Sequence, residues 1–263
     1  MSADRSLFEP NEEYGQAALV DNDTPFAPPV SLLLELGEAR REDQEERIAA
    51  LGLTQEHVAD LVRLALDRRL YEAEGNDDEA ELWGPVNALL ALKQLDVSAH
   101  VPQLVAALDL DSEWLREETP AILGKVGAPA LEPLRAYMLD QSRWIFGRAA
   151  AGSGLVEIAQ QHPDLRDGAV QALGDALSHF ATNDPGLNGF VITDLAAELR
   201  AAEALPLMRR AFEADRVDES IMGDWLDVLA AVGQEPNPDD PLVALSNQRR
   251  RTAPQRRMGI PPG

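Results

Sequence analysis

Three tryptophans, Trp83, Trp114 and Trp144, stand 31 and then 30 residues apart, and each opens a stretch of similar design. After each comes an apolar run with helical spacing, a short break, and a second apolar run ending near Leu108, Met138 or Leu177. A self-similar period of that length, made of two helical runs, is the signature of helix pairs stacked side by side. One such pair cannot bury its apolar faces alone, so neighbouring pairs must cover each other, and the array grows without a single central core. The chain has 263 residues, more than the usual single core holds, and such an array accommodates that length. The period therefore predicts an all-α chain, an α-solenoid of antiparallel helix pairs.

The units can be laid over one another. Leu82, Val86, Leu89 and Leu92 make one helix, and Val101, Leu104 and Leu108 the next. Leu115, Thr119, Ile122 and Val126 are followed by Leu131, Leu134 and Met138, with Pro120 inside the first of these helices. Arg148 to Ala151, Leu155 and Ile158 lead through a loop at His162-Pro163-Asp164 to Val170, Leu173 and Leu177. After Asn183-Asp184-Pro185-Gly186 come Val191, Leu195 and Leu199, then Leu205, Met208 and Phe212. A last half-unit places Ile221, Trp225, Val228 and Val232 at 4-3-4 spacing, stopped by Gly233 and two prolines. No segment shows the two-residue alternation of a strand.

The flanks read differently. Residues 1–29 are polar, end in Pro25, Pro28 and Pro29, and predict a flexible N-terminal arm. Residues 30–80 predict a helical N-terminal cap, in which Thr54 precedes a helix carrying Val58, Leu61, Val62, Ala65 and Arg69. Residues 81–240 hold the repeats, and 241–263 read as a flexible basic tail.

Charge divides at the same place. The chain carries −23, yet its last 23 residues hold five arginines and no acid, which leaves −28 on the first 240. Such a body repels a phosphate backbone, so no nucleic-acid partner is expected. No apolar run approaches the ~20 residues that span a bilayer, and the N-terminus lacks the basic start and apolar core of a signal peptide. The expectation is a cytoplasmic protein with no membrane partner. The absence of cysteine removes disulfides, thiolate metal sites and cysteine nucleophiles.

Leu123-Gly124-Lys125-Val126-Gly127 followed by Ala130-Leu131-Glu132-Pro133-Leu134, and later Glu203-Ala204-Leu205-Pro206-Leu207, resemble HEAT repeats. They are most similar to the bacterial group labelled PBS-lyase HEAT-like. The resemblance covers roughly residues 82–233 and extends to uncharacterised bacterial HEAT-repeat proteins, through Trp83-Gly84-Pro85, Leu187-Asn188-Gly189-Phe190 and Gly223-Asp224-Trp225. It implies a superhelical scaffold holding a partner protein, or, by the group's label, a phycobilin-lyase-like chaperone for a tetrapyrrole chromophore. Some relatives carry a cysteine-rich metal module at the C-terminus, where this chain has arginines, so no zinc function carries over.

Residues with chemistry are few. His57, His100, His162 and His179 lack the helical ligand spacing of a metal site. Carboxylates adjoin at Asp77-Asp78-Glu79, Asp109-Leu110-Asp111-Ser112-Glu113 and Asp239-Asp240, as expected by chance among 46 acids, and Asp111 or Ser112 is placed to cap a helix. The second cluster is no calcium loop, because Trp114 and Pro120 stand where such a loop needs glycine and glutamate. Gly152-Ser153-Gly154 lies in an Ala-rich helical run, where small residues permit close contact. No catalytic, cofactor or metal site is expected, and the tryptophans read as filling seams between units.

One set of residues can meet a partner. Superposing the second helices aligns Arg135 with Arg209, and Arg210 with Asp175 one position on. In a HEAT stack the second helices line the concave side, so Arg135, Arg209 and Arg210 become basic points on an inner face, able to hold carboxylates of an acidic partner. The competing expectation pairs them with Glu132 and Glu213 at helical spacing.

Overall fold

A computed structural model describes residues 12–39, 42–73 and 80–252. Among them the chain is all-α, with fifteen α-helices, several short 3-10 turns and a single isolated bridge between Val20 and Asp67. The helices are α1 (Glu12–Ala18), α2 (Gln44–Ala49), α3 (Val58–Ala65), α4 (Arg68–Tyr71), α5 (Gly84–Leu92), α6 (Val101–Ala106), α7 (Glu113–Val126) and α8 (Ala128–Leu139). They continue as α9 (Ile145–Gln161), α10 (Arg166–Ser178), α11 (Pro185–Thr193), α12 (Leu205–Glu213), α13 (Glu219–Met222), α14 (Trp225–Ala231) and α15 (Pro241–Thr252). No helix among the described residues is long and apolar enough to cross a membrane.

The caps explain where the helices begin. Ser112 accepts from the Leu115 N–H at 3.4 Å, Asp184 from Gly186 at 2.7 Å and Asp224 from Leu226 at 2.9 Å, each supplying an oxygen to an otherwise orphaned donor. Between α7 and α8 the chain reverses at Gly127, whose φ of 72° is one L side chains rarely adopt. A Cβ there would also sit 2.8 Å from His162 Nε2. That imidazole closes the corner by bonding the Gly124 carbonyl at 3.1 Å, so His162 is a structural clasp.

Packing follows two interleaved series. In one, α5 lies on α7, α7 on α9 and α9 on α11; in the other, α6 lies on α8, α8 on α10 and α10 on α12. The contact between α7 and α9 is the most extensive. Leu123, Leu134, Leu155, Leu173, Leu195 and Met208 are fully buried along these contacts, and Trp225 almost so. Aromatic contacts add to this packing: Trp83 meets Trp114 edge-on at 5.9 Å, and Trp144 meets Phe146, which in turn meets Phe190.

A polar device recurs at the fourth residue of three helices in the first series. Asn87 on α5 donates to the Leu33 and Gly37 carbonyls and accepts from Gln44 Nε2 at 2.6 Å. Arg148 on α9 donates to the Met138 carbonyl at 2.7 Å and to Asn183 Oδ1 at 3.2 Å. Asn188 on α11 donates to the Phe180 and Arg216 carbonyls and accepts from Asn183 Nδ2 at 3.0 Å. All three are buried: Asn87 and Asn188 each satisfy two backbone carbonyls, and Arg148 satisfies the Met138 carbonyl at the end of α8 and the Asn183 side chain.

The flanks depart from their sequence reading. Within 12–29, α1 packs on α6 and the turn at 107–109, Leu19 and Phe26 are buried, and Val20 exchanges backbone hydrogen bonds with Leu66 and Arg68. These residues are docked, because Gly15 lets α1 approach the Asp109 carbonyl and Phe26 lies under the Arg63 guanidinium. Within 241–263, residues 241–252 form α15 instead of a loose tail. Leu242, Val243 and Ser246 are buried against α14, and Arg250 makes paired bonds of 2.6 and 2.7 Å to Asp224. The remaining tail residues, 253–263, and residues 1–11 lie outside the described part. The 4-3-4 stripe from Ile221 to Val232 is not one helix either: Gly223, with φ 95°, separates α13 from α14.

Candidate functional site

Arg135, Arg209 and Arg210 all lie on helices of the second series, and the first two are engaged. Arg135 on α8 bonds Glu132 and reaches across to Asp175 on α10 at 2.8 and 3.0 Å. Arg209 on α12 bonds Glu213 at 2.7 Å and clasps both Asp240 oxygens at 2.5 and 2.8 Å. The Arg209 guanidinium holds the Asp240 carboxyl below its usual range. Both expected pairs are thus present, joined by a longer-range acid that sequence alone did not indicate. Arg210 is exposed, with its guanidinium 5.5 Å from the Phe180 ring centre.

The other chemistry-bearing residues stay apart. Asp109 is buried, accepting from the Tyr137 hydroxyl at 2.9 Å and from Arg143. Burial pushes its pKa up, against the pull of Tyr137 and Arg143. Asp111 instead pairs with Arg116 at 3.1 Å. Asp77, Asp78 and Glu79 lie outside the described residues. His57 bonds the Thr54 backbone N–H at 2.9 Å, and His179 the Asp175 carbonyl at 3.0 Å. Among the described residues no group of three or more His, Asp or Glu side chains is placed to hold a metal.

Sequence reasoning passed over the most unusual carboxyl. Beyond Thr193, α11 continues as a π turn, Asp194–Glu198, in which the Leu199 N–H donates to the Asp194 carbonyl at 3.0 Å. Such an inserted residue is locally strained and recurs at functional sites. Asp194 is 9% exposed, and its carboxylate meets no hydrogen-bond donor or cation among the described residues, its oxygens keeping contact with solvent through an adjoining cleft. Burial, and then the nearby Glu198 charge, push its pKa well above the ordinary aspartate value.

Room for it comes from Gly152 on α9, where a Cβ would stand 2.6 Å from Asp194 Oδ2. The carboxyl lines a cleft of ≈ 240 Å³ with Ser153, Val156, Glu157 and Gln160 of α9, and Thr193 and Glu198 beside it. Three carboxyls and three neutral hydrogen-bonding groups therefore face one small space that no Lys or Arg lines. No family model, curated protein or solved structure matches the chain.

Proposed function

We propose that the chain is an α-solenoid of HEAT-like helix pairs that serves as a scaffold for a partner protein. The observation that carries this reading is the offset at which side chains meet. Arg135 meets Asp175, Arg166 meets Glu203, Arg209 meets Asp240, Lys93 meets Glu118, and Gln141 meets Thr182. Their offsets of 40, 37, 31, 25 and 41 residues scatter around the 30–31 of the tryptophan period, as expected where a quasi-one-dimensional array bonds neighbouring units. The two interleaved packing series support the same arrangement, and an array of this kind presents one continuous helical face to a binding partner.

Charge narrows the partner. Most basic side chains of the described residues are held by acids, carbonyls or aromatic rings of the same chain, while Glu117, Asp164, Asp167 and other acids stay exposed. The surface field is therefore negative and attracts basic surfaces, with steering that weakens as salt rises. Of Arg135, Arg209 and Arg210, only Arg210 can meet a carboxylate without giving up an ion pair.

Two measurements test the reading. A compact protein of this length has a radius of gyration of about 18 Å, and small-angle scattering of a solenoid gives a clearly larger value. Affinity capture from native lysate at near-physiological salt then retains a protein companion that elutes as salt is raised. A compact particle, or a bound pigment or nucleic acid in place of protein, refutes the scaffold.

A further inference from the structure

We infer that the cleft between α9 and the π turn receives the guanidinium of a partner protein's arginine, with Asp194 as its floor. The inference deepens the scaffold reading and rests on it for the source of the arginine.

The argument starts from what Asp194 lacks. A carboxylate nine-tenths buried is ordinarily paired, because taking the ion out of water is costly unless another charge or several donors replace it. Here none does. The chain gives up a side chain at Gly152 to make room, and distorts α11 by one residue at the same place. Both features aim the carboxyl into the cleft. A buried carboxyl kept only for packing needs neither.

The lining then selects the ligand. Glu157 and Glu198 add two more carboxyls, and Glu157 is already held on one oxygen by Gln161 at 2.8 Å. Ser153 and Gln160 are exposed at the rim. The volume falls below the about 300–1,000 Å³ of pockets that enclose drug-sized ligands, and suits one long side chain. A compact divalent cation is disfavoured, since no three acidic or imidazole groups among the described residues converge at ligand distances.

A guanidinium fits better. It is planar, presents five N–H donors that reach acids several ångströms apart, binds carboxylates through two parallel bonds, and is more weakly hydrated than an ammonium. Entering the cleft, it sets a positive charge beside Asp194 and Glu198 and favours the ionised form of a carboxyl whose pKa burial raises.

The probe is arginine amide, with citrulline amide as the uncharged isostere, followed by carboxyl carbon NMR at neutral pH. Arginine amide should shift the Asp194 and Glu198 signals saturably, with the largest movement at Asp194, and citrulline amide should not. Asp194→Asn should weaken binding tenfold or more. That loss cannot be general electrostatics, because the variant removes one acid of 46. The exposed Glu198→Gln keeps the test open should Asp194→Asn fold poorly, and should weaken binding about threefold.

Equal affinity in wild type and both variants overturns the site. So does a response spread over open acids such as Asp167 and Asp215 with Asp194 unmoved, or a saturable response to calcium with none to arginine amide. The scaffold reading fails separately: a wild-type chain that retains no protein companion refutes it even if arginine amide binds.

Discussion

Asn188 is the position where the architecture is most exposed to a single substitution. Its side chain is fully buried and makes three hydrogen bonds, donating to Phe180 O at 3.0 Å and Arg216 O at 2.6 Å and accepting from Asn183 at 3.0 Å. Asn188→Leu keeps the number and branching of the side-chain heavy atoms, so it removes the polar groups without opening a cavity, while its bulkier methyls add some overpacking to the loss. The three losses differ. The Arg216 carbonyl loses the donor it has, an orphaning worth about 1–3 kcal/mol. The Phe180 carbonyl keeps only a 3.5 Å contact from Arg216 Nε, and the Asn183 amide keeps its bond to Ala176, so each loses about 0.5–1 kcal/mol. Some of this is offset by the added apolar contact.

The sum is a destabilisation of about 2–4 kcal/mol, a fall in melting temperature of roughly 5–15 °C for a chain of this size. Urea unfolding followed by circular dichroism measures it, with the exposed Thr182→Ala as a control that stays within about 0.5 kcal/mol. Asn183→Leu combined with Asn188→Leu should cost less than the two singly, because they share one bond. An Asn188→Leu variant as stable as wild type would refute the view that buried fourth-position polar residues fasten the loops between units.

Three further outcomes are expected. Leu195→Asp places a charge at a fully buried site between helices and should destabilise by several kcal/mol, read from the same urea curve. Trypsin should cut slowly at Arg249 and Arg250, which are paired with Glu219 and Asp224, and Arg250→Ala should raise the cleavage rate at Arg249 by freeing α15; equal rates would show that the helix is not docked. The Asp240 carboxyl lies below its usual range beside Arg209, so this pair stabilises the fold above the ordinary aspartate pKa of about 4 and loses that contribution as pH falls through the depressed value. Arg209→Ala should therefore lose stability at pH 7 and lose less of what remains between pH 4 and pH 2 than the wild type does, measured by thermal melts across that range.

What the amino-acid pattern made legible was whatever repeats. The tryptophan spacing pointed to paired helices, and Leu123, Leu134, Leu155, Leu173, Leu195 and Met208 fall on the apolar spacing of successive helical runs, so their burial could be read in advance. Caps were legible for the same reason: a serine or aspartate before an apolar run has one economical use. The docked flanks were hidden by composition. In α15, Leu242, Ser246 and Arg250 form one stripe at intervals of four, with Val243 beside it, but arginines and the preceding prolines made the segment look like a charged tail.

Asp194 was hidden by geometry instead. Val191, Leu195 and Leu199 recur every four residues and imply a regular helix, in which an aspartate beside the stripe would reach solvent. The inserted residue of the π turn changes where side chains point from Asp194 onward, and no periodicity in a single sequence announces such an insertion. One trace was available: Gly152, a glycine in the interior of a long helix, costs stability relative to alanine unless something needs the space. The group that needs it is a carboxyl with no cation of its own. The other buried aspartates, Asp67, Asp109 and Asp224, each meet an arginine, and Asp194 alone of the buried aspartates among the described residues meets none.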